Sequence, residues 1–255
     1  MDFKVKGGNS LLVEALLGAV ERRNRLHKNV TVTRIEQGPD SAKVFVHGRS
    51  EPYEAQFCVC TVPAHCLTKI KWKPDLPLDQ YNASTQLQYS RIMKTAVLYA
   101  ERFWPNPKNL GFSVFSNRAS DYCFDSTYRQ PGTPGILCSY AIGDKADDLA
   151  SEDDGMVMTW ITEDVARAFR LKRGLSVTPR PIRSKKQPWQ RDPMAGGAYA
   201  FYRPGQWFDL LPKLSRPFNR VRFAGEHLSE EWQGFMEGAV ETGEAAANAL
   251  IAFAP

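Results

Sequence analysis

Two ionisable residues stand where apolar strand patterns leave little room for charge. Lys94 interrupts MKTAVLY, a run of otherwise apolar or small residues. A lysine there either snorkels from a strand edge or is held in a pocket, where burial would lower its pKa. The strand pattern alone favours the exposed edge. Glu226 follows VRFAG, where Gly225 ends a short apolar run. A carboxylate at the end of an apolar strand needs hydrogen-bond donors, and ribose or ribityl hydroxyls would serve. Beyond Glu226, Gly234 precedes a helix with Ala or Gly at 238, 239, 243, 245, 246, 247 and 249. Such small side chains let a backbone lie close to a sheet or to a flat ligand. The free N–H groups at the start of a helix favour an anionic partner. Without further context, the same pattern fits a helix packed on a sheet for stability alone.

Other chemistries find no support. His227 adjoins Glu226, but neighbours on a strand point to opposite faces, so a dyad is not expected. There is no Ser/His/Asp grouping, no HExxH string, no CxxC spacing and no Cys/His metal pattern. The five cysteines, Cys58, Cys60, Cys66, Cys123 and Cys138, are read as reduced and structural, which fits a cytoplasmic setting. No apolar run approaches the length of a membrane span, and MDFKVKGGNS lacks the apolar core of a secretion signal. The net charge of +5 is modest; a basic cluster at Arg180, Arg183, Lys185 and Lys186 is read as a solvated loop, not a nucleic-acid site.

The elements that must position these residues follow from periodicity. Asn9 or Ser10 can cap a helix over Leu11 to Arg22. Val30 to Ile35, Ala42 to His47 and Tyr53 to Val62 read as a β-meander, with Phe57 to Val62 apolar enough to be buried on both faces. Asp79 to Leu87 reads as a helix, and Thr95 to Tyr99, Ser113 to Phe115 and Gly135 to Ile142 as strands. Ser151 opens a helix running to Phe169, with Glu152, Asp153 and Asp154 in its first turn. Arg170 to Pro188 reads as a basic loop, and Leu211 and Leu214 as a short helix before the strand at Val221 to Ala224. The 255 residues suffice for one large domain or two small ones.

Several segments, in order, resemble the flavin-containing amine oxidases, the group of monoamine oxidases and L-amino-acid oxidases. They are FKVKGGNSLL, NVTVTRIEQ, YEAQFCVCTVPAHCLTKIKWKPDLP, RIMKTAVLYAERFW, QPW-x6-GGAYAFYRPGQ and the terminal EH-x5-QGFMEGAVETGE. YAIGDKADDL looks closest to the L-amino-acid oxidase branch. The family's GxGxxG unit, which seats a pyrophosphate on a helix N-terminus, is not found here. The chain therefore resembles the C-terminal part of an oxidase. A second chain or N-terminal portion is expected to supply that unit; a homo-oligomer is left open.

The resemblance implies an α/β fold of mixed α+β type. An incomplete FAD-binding lobe would be formed by residues 1–65 and 190–255, with a mixed-sheet substrate lobe at 66–189. It implies non-covalent FAD, because Ala198 stands where some members attach the flavin through cysteine. Lys94 matches the family's lysine that holds a water beside flavin N5. Val32 matches a strand position whose backbone meets adenine. Trp189, Gly225, Glu226, Gly234, Phe235, Met236 and Ala239 match flavin-binding positions. Tyr199 and Phe235 match the two walls of an aromatic substrate cage. The implied reaction oxidises an L-amino acid with oxygen, releasing ammonia and hydrogen peroxide; a monoamine or polyamine is the alternative substrate. Arg183 or Arg203 could meet a substrate carboxylate, or either could be solvated.

Overall fold

The computed structural model describes residues 5–21, 26–104, 113–173 and 180–252, with side chains in the last turn of the helix ending at Arg173 excepted. The chain divides into two compact units, 1–26 with 91–191 and 27–90 with 192–255. By that division residues 66–90, read in the sequence as part of the substrate lobe, fall in the second unit, and the described residues before 27 fall in the first. The shift has a local cause: Leu67, Trp72, Ala83 and Leu87 share one apolar core with Leu210, Leu214, Val221 and Phe223.

The first unit is built on a five-stranded antiparallel sheet. Its strands are β7 (Ile92–Tyr99), β8 (Ser113–Phe115), β9 (Tyr122–Asp125), β10 (Gly135–Ile142) and β11 (Pro181–Pro188), in the order β11-β7-β10-β9-β8. Period-two alternation sorts β7 cleanly. Met93, Thr95, Val97 and Tyr99 are buried, and Met93, Val97 and Tyr99 form one core with Leu137, Ala141, Val157, Ile161 and Val165. The last three come from α4 (Asp154–Arg173), which with α3 (Asp144–Ser151) supplies the helical side of that core. Each such fully buried aliphatic side chain contributes about 1.5–3 kcal/mol. α4 is the helix expected from Ser151, starting at Asp154 instead, while α3 before it was not read in the sequence. Asp153 marks the break, its carboxylate accepting from the Gly155 N–H at 2.8 Å and the Met156 N–H at 3.2 Å as an N-cap.

β11 corrects the loop reading of Arg170 to Pro188 over Pro181–Pro188, and α4 takes its first residues to Arg173; 174–179 lie outside the described residues. The prolines of β11 sit at its two ends and it lies on the sheet's edge, the place where a missing N–H is tolerated. Lys186, opposite Thr95, points to the helical side and donates to the carbonyls of Leu149 and Glu152, capping the end of α3. The opening helix, α1 (Ser10–Glu21), buries none of its residues, Leu12 and Leu16 included, among the described part of the chain.

The second unit carries a four-stranded sheet with the order β3-β2-β1-β5. Its strands are β1 (Val32–Gln37), β2 (Ala42–Val46), β3 (Tyr53–Ala55) and β5 (Lys71–Lys73). β4 (Cys58–Cys60) pairs in parallel with β13 (Val221–Phe223), and β6 (Gln88–Tyr89) pairs antiparallel with β12 (Ala200–Phe201). The expected two-sided burial of Phe57 to Val62 is not met: only Cys58–Cys60 is strand, and Val59 is exposed. Helices α2 (Leu78–Gln86), α5 (Gln206–Ser215) and α6 (Met236–Ile251) complete the unit. Buried Gln80 on α2 donates to the carbonyl of Arg216 at 3.0 Å, tying the helix to the end of α5.

Candidate active site

In the second unit, Glu226 opens a 3-10 turn, Glu226–Leu228, directly after β13. The strand has therefore ended before His227, and the opposite-face argument drawn from strand geometry does not apply to the pair. The Glu226 carboxylate accepts from the Gly234 N–H at 2.8 Å and from the Ala200 N–H at 3.1 Å. Burial raises its pKa, opposed by those two N–H donors. Glu226 thus joins the loop before α6 to β12, and its remaining lone pairs can still accept hydroxyl protons.

Gly234 has φ +83°, and a side chain there would come within 2.8 Å of the Tyr199 ring. Its lack of one lets Tyr199 lie against the segment that carries Phe235. Tyr199, Phe235 and Met236 are 51%, 65% and 58% exposed, forming an open apolar surface at the start of α6. Ala239 is exposed one turn further on. No side chain caps the first N–H groups of α6. Gly238 allows the helix to press on the preceding loop, since a Cβ there would lie 2.4 Å from the Trp232 carbonyl oxygen. Thr242 Oγ1 accepts from the Gly225 N–H at 2.9 Å and lies 2.7 Å from the Gly238 carbonyl, to which it donates. Sequence reasoning missed both Thr242 and the Ala200 N–H; nothing in their types marks them.

These groups fit a flavin by the chemistry of their donors. Uncapped N–H groups suit an electron-rich ring edge, a partly buried carboxylate suits hydroxyls, and exposed apolar side chains suit a flat ring. Val32 lies in the same unit on β1, before the stretch that pairs with β5 from Arg34 onward.

His227 is buried, and burial, with a contribution from His65, lowers its pKa to about 4. The unfolded imidazole titrates near pH 6.5, so below that pH the unfolded chain binds more protons than the folded one. Stability is full above about pH 6.5 and falls as the pH drops through the window down to about 4, by about 3 kcal/mol in total. Denaturant midpoints across that window should fall for the parent chain and stay nearly level for His227→Gln.

Lys94 and Trp189 belong to the first unit. Lys94 is exposed, on the sheet face opposite the Met93–Val97–Tyr99 core. Alternation along β7 assigns position 94 to the open side, the exposed placement that the strand pattern alone favours. Its Nζ lies 5.4 Å from the centre of the Tyr140 ring. Trp189 is half-buried and starts a 3-10 turn, Trp189–Arg191, that follows β11. The register gives the open face further members. Tyr140 and Gln187 stand opposite Lys94, Lys185 opposite Ala96, and Arg183 opposite Leu98. Tyr122 stands opposite Tyr140, and Phe115 opposite Tyr122. Phe115 and Tyr122 are stacked at 4.5 Å with 19° between planes.

The family model for flavin-containing amine oxidoreductases matches residues 2–251. The chain belongs to that family. Among curated relatives, amine oxidase (flavin-containing) A of Bos taurus is 26% identical over 251 residues, covering 97% of this chain and 46% of that protein. An L-amino acid dehydrogenase of Synechocystis is 27% identical over 234 residues, covering 91% of this chain and 48% of that protein. A putrescine oxidase solved with putrescine bound shares the fold, with a TM-score of 0.83 at 20% identity over 97% of this chain and 53% of that one. Cyclohexylamine oxidase from Brevibacterium oxydans does so at 0.81 and 21%, over 95% and 52%. This member of the flavin amine oxidoreductases thus spans about half the length of the relatives it matches. No described helix is long and apolar enough to cross a membrane.

Proposed function

We propose that the chain serves FAD-dependent oxidation of an L-amino acid by oxygen, giving the 2-oxo acid, ammonia and hydrogen peroxide. One observation carries the choice of substrate. The open face of the first unit's sheet has Arg183, Lys185 and Lys94 on β11 and β7, and Tyr140, Tyr122 and Phe115 on β10, β9 and β8. Cations attract a carboxylate and repel an ammonium ion, while the rings suit an apolar side chain. A zwitterion with an apolar tail matches that polarity better than a simple amine does.

In this reading Val32, Gly225, Glu226, Gly234, Phe235, Met236 and Ala239 of the second unit would hold the flavin; the resemblance gives Trp189, in the first unit, a flavin-binding role as well. A bound flavin would supply a hydride acceptor for the C–H beside the nitrogen, with oxygen as the final oxidant. Lys94 holds the water that carries protons at the reacting centre, and Tyr199 and Phe235 flank the substrate nitrogen. The resulting imine is hydrolysed in solution. With alanine at 198 no thiol is available there, so acid should release the flavin. A cytoplasmic setting goes with this reading, since thiols such as those of Cys60 and Cys123 persist in reducing compartments.

A second reading makes the chain one part of a larger oxidase, inactive until another polypeptide portion supplies the GxGxxG grip. It is favoured by the 46% of amine oxidase A that the chain spans and by the exposed apolar side chains of α1. Peroxide release from the chain with added FAD decides the substrate. L-Phenylalanine should give a rate at least about 10-fold above 2-phenylethylamine, because the two differ only by the carboxylate. The reverse order would assign the chain to amines.

A further inference from the structure

One carboxylate ties two distant segments of the first unit together. Asp147 stands in the first turn of α3, within the YAIGDKADDL stretch. Its Oδ2 accepts from Arg91 Nη1 at 2.5 Å, and its Oδ1 accepts from Gln190 Nε2 at 2.9 Å. Those two donors, Gln190 first, lower the pKa of Asp147, which keeps it ionised at neutral pH. Asp144 accepts from Arg91 Nη2 at 2.7 Å, so two carboxylates grip the guanidinium. Arg91 is the residue before β7, the strand that carries Lys94. Its carbonyl accepts from the Gly143 N–H at 2.9 Å, which holds the approach to α3 against that strand. Gln190 follows Trp189 in the 3-10 turn. The pairing of β11 with β7 ends at Pro188 opposite Met93, so the turn lies beyond the ladder. There its side chains hang from α3. Gln190 is held by Asp147, and Arg191 donates to the Ala150 carbonyl at 2.8 Å and to Ser151 Oγ at 2.6 Å. Trp189 takes part in none of these bonds, so the rest of the turn sets where its ring lies.

We propose that Asp147 is a positioning residue, which fixes the Trp189 ring relative to the strand that carries Lys94. The proposal rests on the reading above, in which both side chains serve one flavin reaction. The β11–β7 ladder fixes Met93 against Pro188 but stops one residue short of the indole. Asp147 takes over at that point. It holds Arg91 with one oxygen and Gln190 with the other, so the indole and the lysine strand do not shift separately. A misplacement of about 1 Å can cost up to about 100-fold in rate, so a rigid spacing between two such groups has a use. The bland alternative is a bridge kept for stability. Half-exposed ion pairs of this kind add little to stability, which makes that a weak account of a carboxylate joining three segments.

The deciding test needs no flavin. The emission of Trp189 is isolated as the difference between each chain and the same chain carrying Trp189→Phe, and its quenching by acrylamide is measured. Asp147→Ala and Gln190→Leu should each raise that quenching by about 2-fold or more, since a ring on a released turn samples solvent. Asp144→Asn weakens the grip on Arg91 but leaves Gln190 held, and should match the parent. Asp147→Glu keeps both acceptor oxygens and should restore part of the protection. Gln190→Leu leaves the grip on Arg91 in place, so its result stands even where Asp147→Ala fails to fold. With FAD added, Asp147→Ala should lower kcat for L-phenylalanine about 10-fold and change KM by less than about 3-fold. In a Trp189→Phe chain the same replacement should cost less than about 2-fold, because the ring it positions is gone. Quenching that ignores both variants, a rise as large in Asp144→Asn, or an equal rate loss with and without Trp189 overturns the proposal. Its failure is distinct from that of the flavin reading. A yellow, peroxide-producing chain whose Trp189 ignores both variants sinks the positioning role alone. A colourless chain in which both variants free Trp189 sinks the flavin reading alone.

Discussion

Replacing Lys94 with methionine should lower peroxide production from L-phenylalanine by about 100-fold, the usual scale for a group that positions a proton at the reacting centre. The substitution also removes one of the cations facing the carboxylate, so the loss is read in kcat apart from KM. Lys94 is exposed on the open face of β7, so losing its charge leaves the sheet pairing with β10 and β11 in place. Surface replacements of this kind change stability by less than about 0.5 kcal/mol. Thermal melting should accordingly be unchanged while the rate collapses. Lys94→Arg keeps the charge but spreads it over a planar fork, and should recover only part of the rate. A variant that produces peroxide as fast as the parent would remove Lys94 from the mechanism. The aromatic side chains of the open face and the cations of β11 would then remain as a binding face without a proton-handling group.

Glu226→Ala should produce the largest loss of stability in the second unit. The carboxylate satisfies the N–H groups of Ala200 and Gly234, which anchor β12 and the loop before α6. Each buried donor left without a partner costs about 1–3 kcal/mol, so the pair amounts to roughly 2–6 kcal/mol. At about 2–4 °C per kcal/mol for a chain of this length, that corresponds to a fall in Tm of about 4–24 °C. Glu226→Gln keeps one acceptor oxygen but turns an amide N–H toward the second donor, so it should fall between the two. Because Gly234 is held by this carboxylate and lies against Tyr199, the same change should loosen the surface formed by Tyr199, Phe235 and Met236. Equal melting temperatures for parent and Glu226→Ala would show that water replaces the carboxylate at both N–H groups.

Much of this arrangement is legible in the residues, but unevenly. The long apolar runs at β7 and β10, the break at Gly225 and the small-residue helix α6 are local signals, and they mark the elements that carry Lys94 and follow Glu226. The family likewise emerges from quoted segments and is matched over residues 2–251. β11 was hidden because its lysines and prolines suit a loop as well as they suit an edge strand, and only pairing with β7 distinguishes the two. The exposure of Lys94 was readable from the strand pattern; its place on an interior strand of the sheet, and not at an edge, was not. The alignment of Gln187, Lys94, Tyr140, Tyr122 and Phe115 across the open face depends on the register of five strands, and register between segments separated by tens of residues leaves no local trace. Glu226 was recognisable as a carboxylate in need of donors; that two backbone N–H groups supply them follows only from the fold around it.

The decisive property of this polypeptide is whether it takes up the flavin. The purified chain should be mixed with FAD, passed through a desalting column, and its visible spectrum recorded before and after acid precipitation. A flavin absorption that travels with the protein and appears in the acid supernatant is the predicted result. Colour found only in the small-molecule fraction would contradict it.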